Sequence, residues 1–151
     1  MRGKKVLATG AAGFMGSWIC EDLATIRGYQ VTGTDISPLA RYGSKPAPYS
    51  FVQGDLRDRA FVVELCRRVK PRILIHLASN AREGASQFQP YSSTVNNLAA
   101  YSNLLEQSIK HGVEKVVLYS TMAVYGDQKP PFDESMPRKP VDVYGINKRA
   151  M

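Results

Sequence analysis

The sequence predicts an α/β domain built on a doubly wound parallel sheet. Short apolar runs alternate with longer amphipathic segments along the whole chain, the pattern of strands joined by crossover helices. A glycine-rich turn follows the first apolar run and opens the first helical segment. The candidate functional residues fall just after apolar runs, where such sheets bind ligands at the carboxyl ends of their strands.

The elements follow in order. Residues 5–8 read as a buried strand and 14–27 as a helix stopped by Gly28. Residues 30–34 form a second strand, and the Pro-, Gly- and Ser-rich stretch 38–48 is a surface loop. A third strand covers 49–52. Residues 58–69 are a helix capped by Asp58 and halted before Pro71. A fourth strand spans 73–77, and one long helix is expected over 90–111, with Pro90 in its first turn and Gly112 beyond its end. Residues 116–119 are the fifth strand, 122–140 a proline-containing loop, and a last helix starts near Val141.

A chain of 151 residues suffices for one domain with a real core, and 44% apolar residues exclude global disorder. The net charge of +7 comes from cations scattered in twos and threes. No basic helix with interleaved aromatics is present, so an anionic small ligand is favoured over nucleic acid. No run approaches the ~18 apolar residues of a membrane span, and the start has no signal-peptide apolar region. Neither a nucleic-acid nor a membrane partner is expected. Cys20 and Cys66 lie on helix faces that read as buried, and neither belongs to a ligand cluster. They are expected to be reduced core residues in a cytoplasmic protein, with no metal site.

Gly10-Ala11-Ala12-Gly13-Phe14-Met15-Gly16 has the spacing G-x-x-G-x-x-G, a variant of the dinucleotide fingerprint. Gly10 permits a tight turn, Gly13 admits a pyrophosphate to the backbone, and Gly16 lets the helix pack closely. Unpaired N–H groups at a helix N-terminus favour phosphate, which makes Gly10, Gly13, Phe14, Met15 and Gly16 the candidate contacts. Asp35 follows the second strand, nineteen residues past Gly16, near the interval expected for an acid on the adenosine ribose. Its carboxylate accepts from both ribose hydroxyls and repels a 2′-phosphate, so NAD is the expected cofactor. Asp55 and Leu56 follow the third strand. They read either as an adenine contact or as a helix-starting turn. His76, alone inside an apolar strand, reads as a core residue.

Tyr144 and Lys148 are four residues apart and share one helix face. An ammonium beside a phenol favours the phenolate, which makes Tyr144 a usable acid/base at neutral pH. Ser120 and Thr121 follow the fifth strand and place hydroxyls near the reacting oxygen and the cofactor.

Taken in order, these motifs resemble the extended short-chain dehydrogenases/reductases, the NAD-dependent epimerase/dehydratase family. The matching residues are Thr9 to Gly16, Asp35, Gly54-Asp55-Leu56, His76-Leu77-Ala78-Ser79, Asn97, Ser120 to Gly126, Glu134, and Tyr144 to Lys148. The resemblance covers essentially the whole chain and implies a Rossmann fold. It implies that Tyr144 is the catalytic acid/base, that Lys148 orients the nicotinamide ribose and tunes Tyr144, that both also contact the cofactor, and that Thr121 is the catalytic hydroxyl. Leu77, Ala78 and Ser79 would line the cofactor groove, and Asn97 would support the active-site helix. Ser86 matches a position near the substrate, as does Thr121.

The implied activity is nucleotide-sugar 4-epimerisation, with a UDP-hexose as the expected partner. Dehydratases and decarboxylases of the family keep acids after the catalytic Thr, where this chain has Met122 and Ala123. Ala100, Tyr101 and Asn147 are milder departures from the family pattern. Relatives continue well past the catalytic helix, whereas this chain stops three residues after Lys148. Residues 1–151 are therefore expected to be a truncated NAD-binding domain without the substrate domain, weak or inactive alone. A homodimer through the helices of 90–111 and of Tyr144 is a further expectation. The second reading is a non-catalytic NAD-binding redox sensor or interaction module.

Overall fold

The computed structural model describes residues 3–40 and 46–151. The chain divides into two compact units. The first comprises residues 1–78 and 103–119, and the second comprises 79–102 and 120–151.

The first unit holds a five-stranded, all-parallel sheet in the order β3-β2-β1-β4-β5. The strands are β1 (Lys5–Thr9), β2 (Gln30–Asp35), β3 (Ser50–Gln53), β4 (Ile73–His76) and β5 (Lys115–Leu118). Strand order reverses between β1 and β4, so the switch point where such sheets take ligands lies at their carboxyl ends. Helix α1 (Phe14–Thr25) joins β1 to β2, and α2 (Arg59–Val69) joins β3 to β4.

Strand alternation explains why both faces of β1 are apolar. Val6 and Ala8 belong to a buried cluster with Ala11, Cys20, Val31, Tyr49 and Ile75. Leu7 points the other way, and it and its register partner Leu74 are fully buried. Helix α2 is capped as the sequence predicts: Asp58 accepts from the N–H groups of Ala60 and Phe61. It ends in a left-handed Lys70 whose N–H returns to Cys66 O, ahead of the break at Pro71. Cys20 and Cys66 are buried, unbridged thiols, and burial pushes Cys20 up to about 12.

The second unit is helical. It contains the single-turn α3 (Glu83–Ser86), α4 (Pro90–Thr94) and α6 (Val143–Ala150). The single helix expected over 90–111 is interrupted. Helix α4 passes into a π-helical turn, Val95–Ala99, and then into α5 (Ala100–Lys110). The end of α5 belongs to the first unit, where Ser108 meets Cys66 and Glu106 pairs with Arg59. Helix α3 falls in a stretch to which the sequence assigned no element. The segment 122–140 is mostly irregular, with a 3₁₀ turn at Met122–Val124. Of the predicted loop 38–48, residues 41–45 lie outside the described residues, and the flanking residues carry no helix or strand. No helix among the described residues is long and apolar enough to cross a membrane.

Candidate functional site

In the first unit the sequence-predicted cofactor residues converge on the carboxyl ends of β1, β2 and β4. Gly10 turns the chain at a φ of +70°, and a Cβ there would lie 2.8 Å from Ala78 N and 2.9 Å from Leu77 C. The turn after β1 and the turn after β4 thus touch backbone to backbone, which only glycine permits. Thr9, which the sequence did not single out as a site residue, holds them together. Its hydroxyl accepts from the Ala78 N–H at 3.2 Å and lies 2.9 Å from His76 Nδ1. The hydroxyl and that ring nitrogen share a hydrogen bond, so His76 is a bonded core residue, as the sequence predicts.

Gly13 is the N-cap of α1 and supplies no side-chain cap, so the N–H groups of the first turn remain for an anion. Phe14 and Met15 stand in that turn with exposed side chains. Gly16 is buried, and a Cβ there would lie 2.0 Å from Gly10 O. Asp35 does more than end β2. Its Oδ2 accepts from the Ala12 N–H at 3.0 Å and its Oδ1 from the Ser37 N–H at 2.9 Å. The acid is thereby drawn to the glycine turn and held there. The Asp35 carbonyl also accepts from Gly54 N–H at 2.8 Å, tying the β2 end to the Asp55–Leu56 turn. Asp55 lies in that turn with its carboxylate gripped by Arg57, whose guanidinium holds it below the usual carboxylate range. Leu56 is buried, and its carbonyl accepts from Asn103 Nδ2 at 2.9 Å.

These features fit a dinucleotide. The cradle has no room for a Cβ at Gly10 or Gly16, and it offers uncapped helix N–H groups with a carboxylate beside them.

The remaining candidates belong to the second unit. Asn97 is fully buried inside the π-helical turn. The wider turn, a feature frequent at functional sites, directs its amide to the chain after β4. Asn97 Oδ1 accepts from Asn80 N–H at 2.8 Å and from the Ser79 hydroxyl at 3.2 Å. Thr121 caps the 3₁₀ turn by accepting from Ala123 N–H at 3.2 Å, which leaves its hydroxyl proton to donate elsewhere. Ser120 is exposed, and Met122 even more clearly so.

Helix α6 carries Tyr144 and Lys148 on one face, each only 4% exposed. Asp142 caps it, accepting from Gly145 N–H at 2.7 Å. A Cβ on Gly145 would lie 2.7 Å from Ala123 O, so the helix start packs directly on the turn that Thr121 caps. Ser86 is buried too, and its hydroxyl is engaged by Glu83 O and Tyr144 N–H. Among the described residues no cluster of three or more metal-ligating side chains occurs.

Burial lowers the Lys148 pKa below the ordinary lysine value, because leaving water disfavours the ammonium. The unfolded chain binds that proton more tightly, so stability rises with pH between the folded and ordinary values. At neutral pH, below the ordinary lysine value, this burial costs stability. Lys148→Met is therefore expected to unfold at a higher temperature at pH 7, by about 2–4 °C for each kcal/mol relieved. A thermal melt that shows Lys148→Met unchanged or less stable would contradict this.

The fold and its glycine cradle define the class: a Rossmann-type dinucleotide-binding protein. The model of the NAD dependent epimerase/dehydratase family matches residues 6–151, and the chain belongs to that family. It is 35% identical over 150 residues to the UDP-glucose 4-epimerase of Rhizobium leguminosarum bv. trifolii, covering 98% of this chain and 45% of the relative. The dTDP-D-glucose 4,6-dehydratase of Mus musculus is 32% identical over 161 residues, at 97% and 44% coverage. The crystal structure of the UDP-glucose 4-epimerase of Thermus thermophilus, in complex with NAD, superposes with a TM-score of 0.87. Its identity is 36%, with 99% of this chain and 48% of that one covered. The chain thus spans slightly under half the length of the relatives it matches.

Proposed function

We propose that residues 1–151 are the cofactor-binding domain of an NAD-dependent nucleotide-sugar 4-epimerase, with a UDP-hexose as substrate. The observation that carries this reading is the buried Tyr144–Lys148 pair on a helix packed against the Thr121-capped turn, in a chain 35% identical to a UDP-glucose 4-epimerase.

Gly10, Gly13, Phe14, Met15 and Gly16 would take the pyrophosphate on backbone N–H groups. Asp35 would accept the ribose hydroxyls, Asp55 and Leu56 would meet the adenine end, and Leu77, Ala78 and Ser79 would line the groove. Asn97 would order the Ser79–Asn80 chain, with Ser120 beside the cofactor. When bound, NAD would supply the hydride acceptor and donor for the sugar C4.

Tyr144 does the proton work. Its phenolic oxygen would exchange the proton of the 4-hydroxyl as the C4–H bond breaks and return it when the 4-keto group is reduced. Lys148, one turn on along the same helix face, would hold the nicotinamide ribose and tune Tyr144. Thr121 donates its free hydroxyl proton to the reacting oxygen. Neither Met122 nor Ala123 can transfer a proton to expel a 6-hydroxyl, which favours epimerisation over the dehydratase chemistry named for the mouse relative.

The test is to express the protein from its complete gene and supply UDP-galactose with NAD. Formation of UDP-glucose without net NADH is expected. Accumulation of a 4-keto-6-deoxy sugar nucleotide would instead make it a dehydratase. Dimerisation through α4, α5 and α6 and a cytoplasmic location belong to the same proposal.

The Asp35 assignment has its own consequence. Asp35→Asn removes the charge that rejects a 2′-phosphate and weakens the ribose contact. A loss of about 1.5–3 kcal/mol in NAD binding is expected, with NADP binding unchanged or improved. A variant whose NAD-to-NADP affinity ratio equals that of the wild type would remove Asp35 from the site.

A further inference from the structure

We infer that Ser86 is a positioning residue for Tyr144 and not a contact to the sugar; the inference rests on the epimerase reading. Sequence similarity alone puts Ser86 near the substrate. Its environment gives it other work. The residue is 4% exposed and closes the single turn α3. Its hydroxyl donates to Glu83 O at 2.6 Å and accepts from the Tyr144 N–H at 3.1 Å.

Tyr144 is the second residue of α6, so its N–H is one of the donors that an isolated helix leaves without a partner. Asp142 satisfies the next donor, Gly145 N–H, at 2.7 Å. Ser86 satisfies that of Tyr144 itself, from a segment 58 residues earlier. Two side chains therefore fix the backbone of the first turn. On its third side, Gly145 meets Ala123 O and Pro140 with no space for a Cβ.

The Tyr144 backbone is thus pinned to α3 by Ser86, to the cap by Asp142, and to the Thr121-capped turn by packing. Of the three, only Ser86 bonds the tyrosine directly. With its proton given to Glu83 O and one of its two lone pairs taken by Tyr144, this hydroxyl has no proton left to donate to a ligand, and its second lone pair lies in a residue only 4% exposed. Removing it frees the start of α6 to shift, and small misplacements of a reacting group lower the rate without weakening binding.

The experiment compares wild type, Ser86→Ala and Ser86→Cys, each expressed from the complete gene. It measures kcat, KM for UDP-galactose and NAD affinity well below the melting temperature. Ser86→Ala is expected to lose about tenfold or more in kcat, with KM and NAD affinity within about twofold of wild type. Ser86→Cys nearly preserves the volume and supplies only a weak sulfur acceptor. Its kcat is expected between the other two, and it carries the test if Ser86→Ala does not fold. A raised KM with kcat retained would overturn the inference and restore the sugar contact. Unchanged kcat and KM in both variants would also overturn it. Absence of nucleotide-sugar turnover in the wild type would overturn the epimerase reading itself.

Discussion

Replacing Tyr144 with Phe is expected to abolish epimerisation by the complete gene product while NAD still binds. Phenylalanine fills nearly the same buried space beside Lys148, so the helix start and its Asp142 cap are unchanged. What is lost is the phenol proposed to exchange a proton with the sugar 4-hydroxyl. General acid–base catalysis of this kind contributes about 10²–10⁴-fold, and kcat should fall by that factor. NAD titration followed by protein fluorescence should give an affinity close to wild type, since the cradle belongs to other residues. Retained turnover would take the proton-transfer role away from Tyr144. Lost NAD binding would mean that the tyrosine holds the cofactor and does not perform the chemistry.

The second large effect is expected at Gly16. A methyl group there would sit 2.0 Å from Gly10 O, closer than any contact tolerates. Either α1 moves off the glycine turn or the turn itself opens, and overpacking of this kind costs about 1–3 kcal/mol or more. If the α1 N–H groups take the pyrophosphate as proposed, NAD affinity should fall with stability. Gly13→Ala provides the contrast. Its Cβ would meet only Gly10 O, at 3.2 Å, so the fold should melt near the wild-type temperature while a methyl intrudes where phosphate approaches. Thermal melts and NAD titrations on both variants separate the roles. If Gly16→Ala melts and binds like wild type, the close packing of α1 on the turn is not what holds the cradle.

The sheet was legible because its signals are local. Apolar runs bounded by glycine, proline and polar residues marked all five strands, each to within one residue at either end. The Asp58 cap was legible for the same reason, since an aspartate just before a helical pattern bonds to N–H groups two and three residues on. The π-helical turn was not. Its hydrogen bonds shift register while the spacing of apolar residues through 90–111 still reads as one helix, so Asn97 was recognised by likeness and not by geometry. Helix α3 is a single turn, too short for any periodicity. Lys70 is a left-handed helix end built on a residue with no such preference.

The site was legible in its residue types and not in their connections. The glycine spacing, Asp35, and the Tyr144–Lys148 interval can be read from the chain. The Asp35 bond to Ala12 spans 23 residues, the Thr9 bond to Ala78 spans 69, and the Ser86 bond to Tyr144 spans 58. Each is a tertiary contact that no local pattern encodes. Ser86 shows the consequence: likeness alone places it near the substrate, and its buried hydrogen bonds to Glu83 and Tyr144 change what it is expected to do.

In the proposed reaction hydrogen leaves and returns to the sugar C4 as hydride while Tyr144 handles only the hydroxyl proton. The most direct measurement is to give the complete gene product UDP-galactose deuterated at C4, in ordinary water, and to locate the label in the UDP-glucose formed. Full retention of deuterium at C4 is the predicted result. Loss of the label to solvent, or no conversion at all, would contradict it.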